Sequence, residues 1–304
     1  MYTDRMAVPT DEKLALLEKT AESVRETVVR SLVAAGSGHT AGALGLADVF
    51  TAFYFHILRH DPARPDWPQR DRFVVSNGHV CPALYAAMAH AGYFPIDECL
   101  TLRKFGSRLQ GHPERALLPG LETTSGPLGE GLSQAAGMAY AFRMDGRKNR
   151  VYALMSDGEQ EEGSTWEAAM FAGKNRLSNL IAVIDRNGIQ IDGVTEDVMP
   201  LEPLAEKYRA FNWRVLDADG NDIAAFIASV DEAKAAQEKP TLIIAHTIPG
   251  KGVPEIESDY RWHGEVPTVE EGERFLRALH LGAREENARS SSEAGKGDRH
   301  TSPC

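Results

Sequence analysis

The sequence predicts an α/β fold, a mainly parallel sheet covered by helices on both faces. Two observations point there. Short apolar, β-branched runs, VYALMS, LIAVID, WRVLDAD and PTLIIAHT, alternate with helical stretches through the second half of the chain, the order that builds a parallel sheet from crossover units. These runs are nearly continuous in their hydrophobicity rather than strictly alternating, as befits strands covered on both sides.

Taken in order, the chain opens with a long amphipathic helix: from Asp11 to Ala34, leucine, valine and alanine recur at helical spacing among charged residues. Gly36, Gly38, Gly42 and Gly45 then make a turn region. The apolar segment ADVFTAFYFHILR reads as a buried helix, closed by the Pro and Asp residues between Asp61 and Arg70. RFVVSNGH is a short strand ending in a turn, followed by a helix from Ala83 to Ala91. A second glycine-rich stretch, GLETTSGPLGEGLSQAAG, runs into a helix of small residues. Strand VYALMS, an acidic glycine turn, helix STWEAAMFAGK and strand LIAVID follow, then a polar loop through Asp192. WRVLDAD, a helix from Asp222 to Gln237, PTLIIAHT and one more helix beyond Trp262-His263-Gly264 complete the pattern. From Arg284 the composition turns to Glu, Asn, Ser, Gly, Lys and Asp. Residues 1–282 are therefore expected to form one domain and 283–304 a disordered tail, in which His300 and Cys304 are incidental.

With 304 residues and 42% hydrophobic content the chain has material for a substantial core. Its three cysteines lie far apart, without CxxC spacing, which fits a reducing compartment. The first 26 residues hold no apolar core of signal-peptide length, and no uncharged run approaches the roughly 20 residues that cross a bilayer. A cytoplasmic protein without a membrane partner is expected. A formal charge of -11 argues against nucleic acid as a partner, and means that any bound anion must be neutralised locally.

The most informative local feature is VYALMS leading into Asp157, Gly158 and the acidic turn to Gly163, with LIAVID leading into Asn187, Gly188 and Ile189. Ends of neighbouring parallel strands face one crevice, where ligands bind. A carboxylate, an amide oxygen and a backbone carbonyl suit a hard cation that bridges to phosphate. Gly158 would permit a tight turn, and the helix near Gly163 would aim free amides at the anion. Asp, Asn and Gly are also ordinary strand-end turn residues, so taken singly each is weak. Gly126 to Gly137 follows a polar loop and does not reproduce GxGxxG, and GxxxxGK[ST] is absent, which disfavours dinucleotide and P-loop readings.

Blocks in one order across Ser37 to Gly264 resemble the N-terminal, diphosphate-binding region of transketolases, especially the two-subunit forms. They are SGHTAGALG, DRFVVSNGHVCPALYA, GHPE, TTSGPLGEGLSQAAGMA, SDGEQEEGSTWEAAMFA, DRNGIQIDG, PGKG and WHG. The resemblance implies the thiamine-diphosphate-binding fold, with Asp157, Asn187 and the carbonyl of Ile189 holding Mg²⁺ or Ca²⁺ and Gly158 approaching thiamine diphosphate. It places Gly126, Leu128 and Gly129 against the cofactor at a subunit boundary, and gives Glu162 a role in communication between paired sites. It sets His39 and His263 near reacting oxygens of the substrate, His79 near both cofactor and substrate, and His112 near the C1 hydroxyl. Ser156 stands where the family frequently has Gly. Without the resemblance these four of the ten histidines, each beside a glycine, read more readily as loop or packing residues than as catalytic ones. Cys81 beside His79 reads as a buried structural thiol.

The implied activity is transfer of a two-carbon ketol (glycolaldehyde) unit from a ketose phosphate to an aldose. The resemblance also implies a separate partner chain carrying the pyrimidine-binding module and its activating glutamate, in an α₂β₂ assembly, because the predicted ordered sequence closes near Gly282 without a second α/β sheet. Apolar helices at Ala47–Leu58 and Gly131–Phe142 are candidate partner surfaces or core. Other readings are a different split thiamine-diphosphate enzyme, of 1-deoxyxylulose-phosphate-synthase or acyl-transferring type, and a noncatalytic regulatory module. Asp157 and Asn187 together with His39, His79 and His263 argue against the last.

Overall fold

The computed structural model describes residues 9–294, with side chains described through Leu281. Five strands form the main sheet: β1 (Arg72–Val75), β2 (Val151–Ser156), β3 (Leu180–Arg186), β6 (Arg214–Asp219) and β7 (Thr241–His246). They lie in the order β1-β2-β3-β7-β6, and every pairing is parallel. The expected fold class is thus observed. The polar loop after β3 contains a two-strand antiparallel hairpin, β4 (Ile189–Gln190) with β5 (Gly193–Val194).

The pleat divides the apolar strand residues between two cores. Tyr152, Leu154, Ile181, Val183, Ile243 and Ala245 face one cluster, while Val151, Ala153, Met155, Leu180, Ala182, Ile184, Leu242 and Ile244 face the other. On the first face pack α1 (Asp11–Ala35), α2 (Ala41–Gly45), α3 (Ala47–Ala52) and α4 (Cys81–His90), together with α9 (Ile223–Lys234). The second face is covered by α5 (Gly131–Met144), α6 (Gly163–Lys174) and α8 (Leu204–Ala210). A short α7 (Thr195–Val198) follows the hairpin. The last helix, α10 (Val269–Ala294), runs along α1, and Phe275 and Leu279 join the first core. Its backbone passes the boundary expected at 282; residues 295–304 of the expected tail lie outside the described residues.

Local chemistry accounts for most boundaries. Thr10 caps α1 by accepting from the Lys13 amide at 3.3 Å, and Gly36, at φ 66°, closes it by donating to the Leu32 carbonyl. Asp222 caps α9 through the Ala225 amide. One expectation changes. ADVFTAFYFHILR is not a single α-helix: α3 passes into a π-helical turn, Phe53–Ile57, with the Leu58 amide donating to the Phe53 carbonyl. Adjacent Phe53 and Tyr54 are both buried, and Phe53 stacks on Phe73 with ring centroids 4.2 Å apart. A wider turn lets two neighbouring bulky side chains face the core together. Buried Arg25 of α1 pairs with buried Asp48 of α3 and donates to the Leu44 carbonyl, tying the glycine-rich turn to the core. Removing one partner of such a buried pair costs about 3–5 kcal/mol.

Candidate active site

Because all five strands of the main sheet are parallel, their carboxyl ends share one edge, and the residues singled out after β1, β2 and β3 meet there. Asp157, 1% exposed, follows β2. Its Oδ1 accepts the Gly158 amide at 2.8 Å; its Oδ2 accepts the Gly188 amide at 2.8 Å, the Arg186 guanidinium at 3.1 Å and the Thr195 hydroxyl at 3.4 Å. The Gly188 bond draws the loop carrying Asn187 and Ile189 onto Asp157. Asn187 is aimed in turn: its Nδ2 donates to Asp185 at 2.8 Å, and its Oδ1 accepts the Ile189 amide at 3.0 Å. Burial raises the Asp157 pKa against the pull of the Gly188 amide and Arg186. Burial also pushes Asp185 up to about 7, opposed by the Thr247 hydroxyl.

The tight turn expected at Gly158 is present, and α6 starts at Gly163 as expected; only the source of the nearest amides differs. Gly158 does not take a left-handed conformation; it starts a 3₁₀ turn, Gly158–Glu161, and a Cβ there would make only ordinary contact with Gln190 at 3.5 Å. That turn stands between Asp157 and α6, so the amides nearest Asp157 belong to the turn. The Gly158 amide is spent on Asp157 itself, and the Gln160 amide on the Asp157 carbonyl.

The four histidines come from separate turns and converge. Ring centroids lie 5.2 Å apart for His39 and His79, 5.7 Å for His39 and His263, 5.1 Å for His79 and His263, and 6.4 Å for His39 and His112. The Thr40 hydroxyl donates to the Glu265 carbonyl at 2.6 Å, fastening the turn of His39 to that of His263. The Cys81 thiol donates to the Gly111 carbonyl, and the Tyr85 hydroxyl to the Gln110 carbonyl, which together hold the loop of His112. Desolvation first, then His263, Arg103 and His112, lower the His39 pKa to about 4. Desolvation and the neighbouring rings hold His79 well below the usual histidine range, desolvation and Arg103 lower His112, and desolvation lowers His263. Near pH 7 the basin therefore presents neutral imidazoles, each able to donate at one nitrogen and accept at the other.

The segment Ser125–Gly131 joins the two poles. Gly126, at φ 147°, rests against the His112 ring, and a Cβ on Gly78 would collide with Ser125 and the Gly126 amide. At the other end Gly129, at φ 85°, lies against Glu162 and Ser164. Leu128 is half-buried between these contacts, and Glu162 is exposed at the head of α6.

A polar ligand fits this edge. Asn77, wholly buried after β1, has no partner for either amide atom, and neither His39 Nδ1 nor the Ser125 hydroxyl has one. Unmet buried polar atoms cost about 1–3 kcal/mol each, and here they belong to neighbouring turns of one basin. Among the described residues no group of three or more His, Cys, Asp or Glu is placed to hold a metal. The oxygen set of Asp157, Asn187 and Ile189 is of another kind and suits a hard cation. Sequence reasoning did not single out Asn77, Ser125, Arg186 or Thr195. Asn77 could have been noticed as the residue between a strand and the Gly78-His79 turn; the others carry no local signal.

A buried parallel edge with an oxygen-donor turn beside a histidine basin defines an enzyme's cofactor-binding domain. Residues 17–283 match the family described as "Transketolase, thiamine diphosphate binding domain". The chain is 46% identical over 236 residues to the 6-deoxy-6-sulfo-D-fructose transketolase subunit of a Clostridium species, covering 78% of this chain and 86% of that one. It is 43% identical over 263 residues to an apulose-4-phosphate transketolase subunit of Phocaeicola vulgatus, covering 86% and 93%. Among solved structures it superposes on a Pichia stipitis transketolase in complex with sedoheptulose 7-phosphate with a TM-score of 0.81 and 31% identity, covering 91% of this chain and 45% of that one. For the Campylobacter jejuni transketolase the TM-score is 0.78 at 30% identity, covering 91% and 48%. The chain thus spans under half the length of these solved transketolases and most of the length of the two subunits. It belongs to the thiamine-diphosphate-binding domain family of transketolases, as the N-terminal subunit type of a split, two-subunit enzyme. Among the described residues, no helix is long and apolar enough to cross a membrane.

Proposed function

We propose that the chain is the diphosphate-binding half of an enzyme that moves a two-carbon ketol unit from a ketose to an aldose. The observation that carries this reading is the union on one sheet edge of the Asp157–Asn187 turn and four neutral histidines, bridged by Gly126, Leu128 and Gly129. Thiamine diphosphate, when bound, supplies the carbon–carbon bond chemistry. Asp157, Asn187 Oδ1 and the Ile189 carbonyl would hold Mg²⁺ or Ca²⁺ against its diphosphate. His39 and His263 would exchange hydrogen bonds and protons with substrate oxygens, His112 would orient a substrate hydroxyl, and His79 would contact both cofactor and substrate. The two subunit relatives are named for a sulfo-sugar and a sugar phosphate, so a ketose with an anionic terminus is the proposed donor.

The activating glutamate and pyrimidine-binding module are assigned to a partner chain in an α₂β₂ assembly. Of the two helices that were candidates for core or partner surface, Ala47–Leu58 is mostly buried. Helix α5 instead shows an exposed flank where Tyr140 and Met144 join Met170 and Phe171 of α6, with Tyr140 and Phe171 rings 5.7 Å apart. This flank and exposed Glu162 are the proposed contact region. Free, buried Cys81 and Cys99 support a cytoplasmic setting.

The test is to co-express the chain with its candidate partner and assay two-carbon transfer from ketose phosphates and sulfo-ketoses, with thiamine diphosphate and Mg²⁺. Transfer is expected only from the two chains together. Full activity of this chain alone would overturn the split arrangement, and a stable complex that binds cofactor yet transfers from no ketose would overturn the reaction.

A further inference from the structure

Glu159 is fully buried, two residues beyond Asp157, in a stretch whose letters read as an acidic turn. Its Oε1 accepts the Gly129 amide at 2.7 Å and the Ser76 hydroxyl, and its Oε2 accepts the Ser156 amide at 3.2 Å. Ser76 Oγ accepts the Gly131 amide at 2.9 Å, and the Ser164 hydroxyl donates to the Gly129 carbonyl at 3.1 Å. Both main-chain groups of Gly129 are therefore held from residues 159–164, and the Gly131 amide is held from the end of β1. The fit is close: a Cβ on Gly129 would lie 2.7 Å from the Glu162 Cβ, and one on Gly131 would overlap Ser76. No lysine or arginine pairs with Glu159 among the described residues. Burying a carboxylate with only neutral donors is costly, and packing alone would be met by an apolar side chain.

We propose that Glu159 is a positioning residue: an acceptor bridge that locks the segment Ser125–Gly131 to the Asp157–Gly158 turn, so that the cofactor-facing parts of both are set as one unit before the cofactor arrives. The bridge itself stands on the hydrogen bonds; its consequence for the cofactor rests on the thiamine-diphosphate reading. A carboxylate serves here because it accepts three bonds on two oxygens and offers no donor to conflict with the Ser156 amide. The Glu159→Gln amide keeps one accepting oxygen, for Gly129, and loses the other, whereas Glu159→Ala loses both.

Hydrogen exchange at the Gly129 and Gly131 amides of the full chain tests the bridge directly. In Glu159→Ala, exchange at both is expected to rise about 10- to 100-fold, with Glu159→Gln in between and β3 amides unchanged as a control for folding. In the complex with the partner chain, Glu159→Ala is expected to raise the KM for thiamine diphosphate about tenfold while kcat at saturating cofactor stays within about twofold, with partial rescue by Glu159→Gln. A purely structural residue would lower the folded fraction and kcat without that split. Should Glu159→Ala fail to fold, Ser76→Ala removes the hydroxyl while leaving the carboxylate its two amides, and faster Gly131 exchange is the expected result. Unchanged exchange in folded variants overturns the bridge. Faster exchange with an unchanged KM overturns its link to the cofactor. A wild-type complex that binds no thiamine diphosphate counts against the reading of the site and leaves the exchange result to decide the bridge.

Discussion

The Asp157 turn and the histidine basin occupy the same sheet edge and are built on opposite principles. At the turn the polar atoms are already engaged: both Asp157 oxygens accept hydrogen bonds, Asp185 is held by Thr247 and Asn187, and Arg186 ties Asp157 to Glu196 and Glu202. In the basin, His39 Nδ1, the Asn77 amide and the Ser125 hydroxyl are buried without partners, and burial holds the rings neutral. The turn is organised by the fold at little cost in unmet polarity. The basin keeps donors and acceptors unspent, at the expense of stability, for a ligand whose oxygens complete them.

Three substitutions probe this contrast. The largest effect is expected from His263→Ala in the assembled enzyme: a fall in kcat of about 10²–10⁴-fold, with assembly and Mg²⁺-dependent cofactor binding retained. Steady-state turnover at the wild-type level would remove the basin's active role. Asp157→Ala should weaken Mg²⁺-dependent binding of thiamine diphosphate by about 10- to 100-fold, read by calorimetric titration of the complex. An unchanged affinity would show that the turn is scaffold and not ligand.

The smallest effect is a pH dependence of stability. His39 titrates at about 4 in the fold and near the ordinary 6.5 when unfolded, so between those values the unfolded chain binds more protons and stability falls as pH falls. Asp157 and Asp185, with raised pKa values, act in the opposite sense, so the informative comparison is wild type with His39→Gln. Measured by urea denaturation, the variant should gain on wild type by about 1 kcal/mol between pH 7 and pH 5, after allowance for the partial exposure of the ring. A gap that does not change with pH would contradict the desolvated state of His39.

Strand positions were legible because buried parallel strands write themselves as compact β-branched runs: VYALMS is β2, and LIAVID lacks only Arg186 of β3. The juxtaposition of Asp157 with the Asn187 loop was legible from the same logic, since strand ends in a parallel sheet converge. The histidines were not legible from physics, because each is a polar residue in its own glycine turn and only the folded chain makes them neighbours; resemblance supplied them. Glu159, Asn77 and Ser125 escaped for a related reason. Whether a polar residue in a loop is buried depends on which distant segment closes over it, and in the letters GEQEEG nothing distinguishes the buried Glu159 from the exposed Glu161 and Glu162. The π-helical turn at Phe53–Ile57 was likewise decided by tertiary packing against Phe73, Tyr152 and Phe226.

The thiol of Cys81, donated to the Gly111 carbonyl two residues from His79, has a chemical corollary. Burial pushes its pKa up to about 12, so almost no thiolate exists near neutrality. Thiolates add reversibly to aldehydes, so an exposed one in a basin proposed to receive aldose acceptors would compete for them. Packed as a protonated donor, Cys81 should resist alkylation and peroxide alike, and the chain can place sulfur next to its histidines without offering a competing nucleophile.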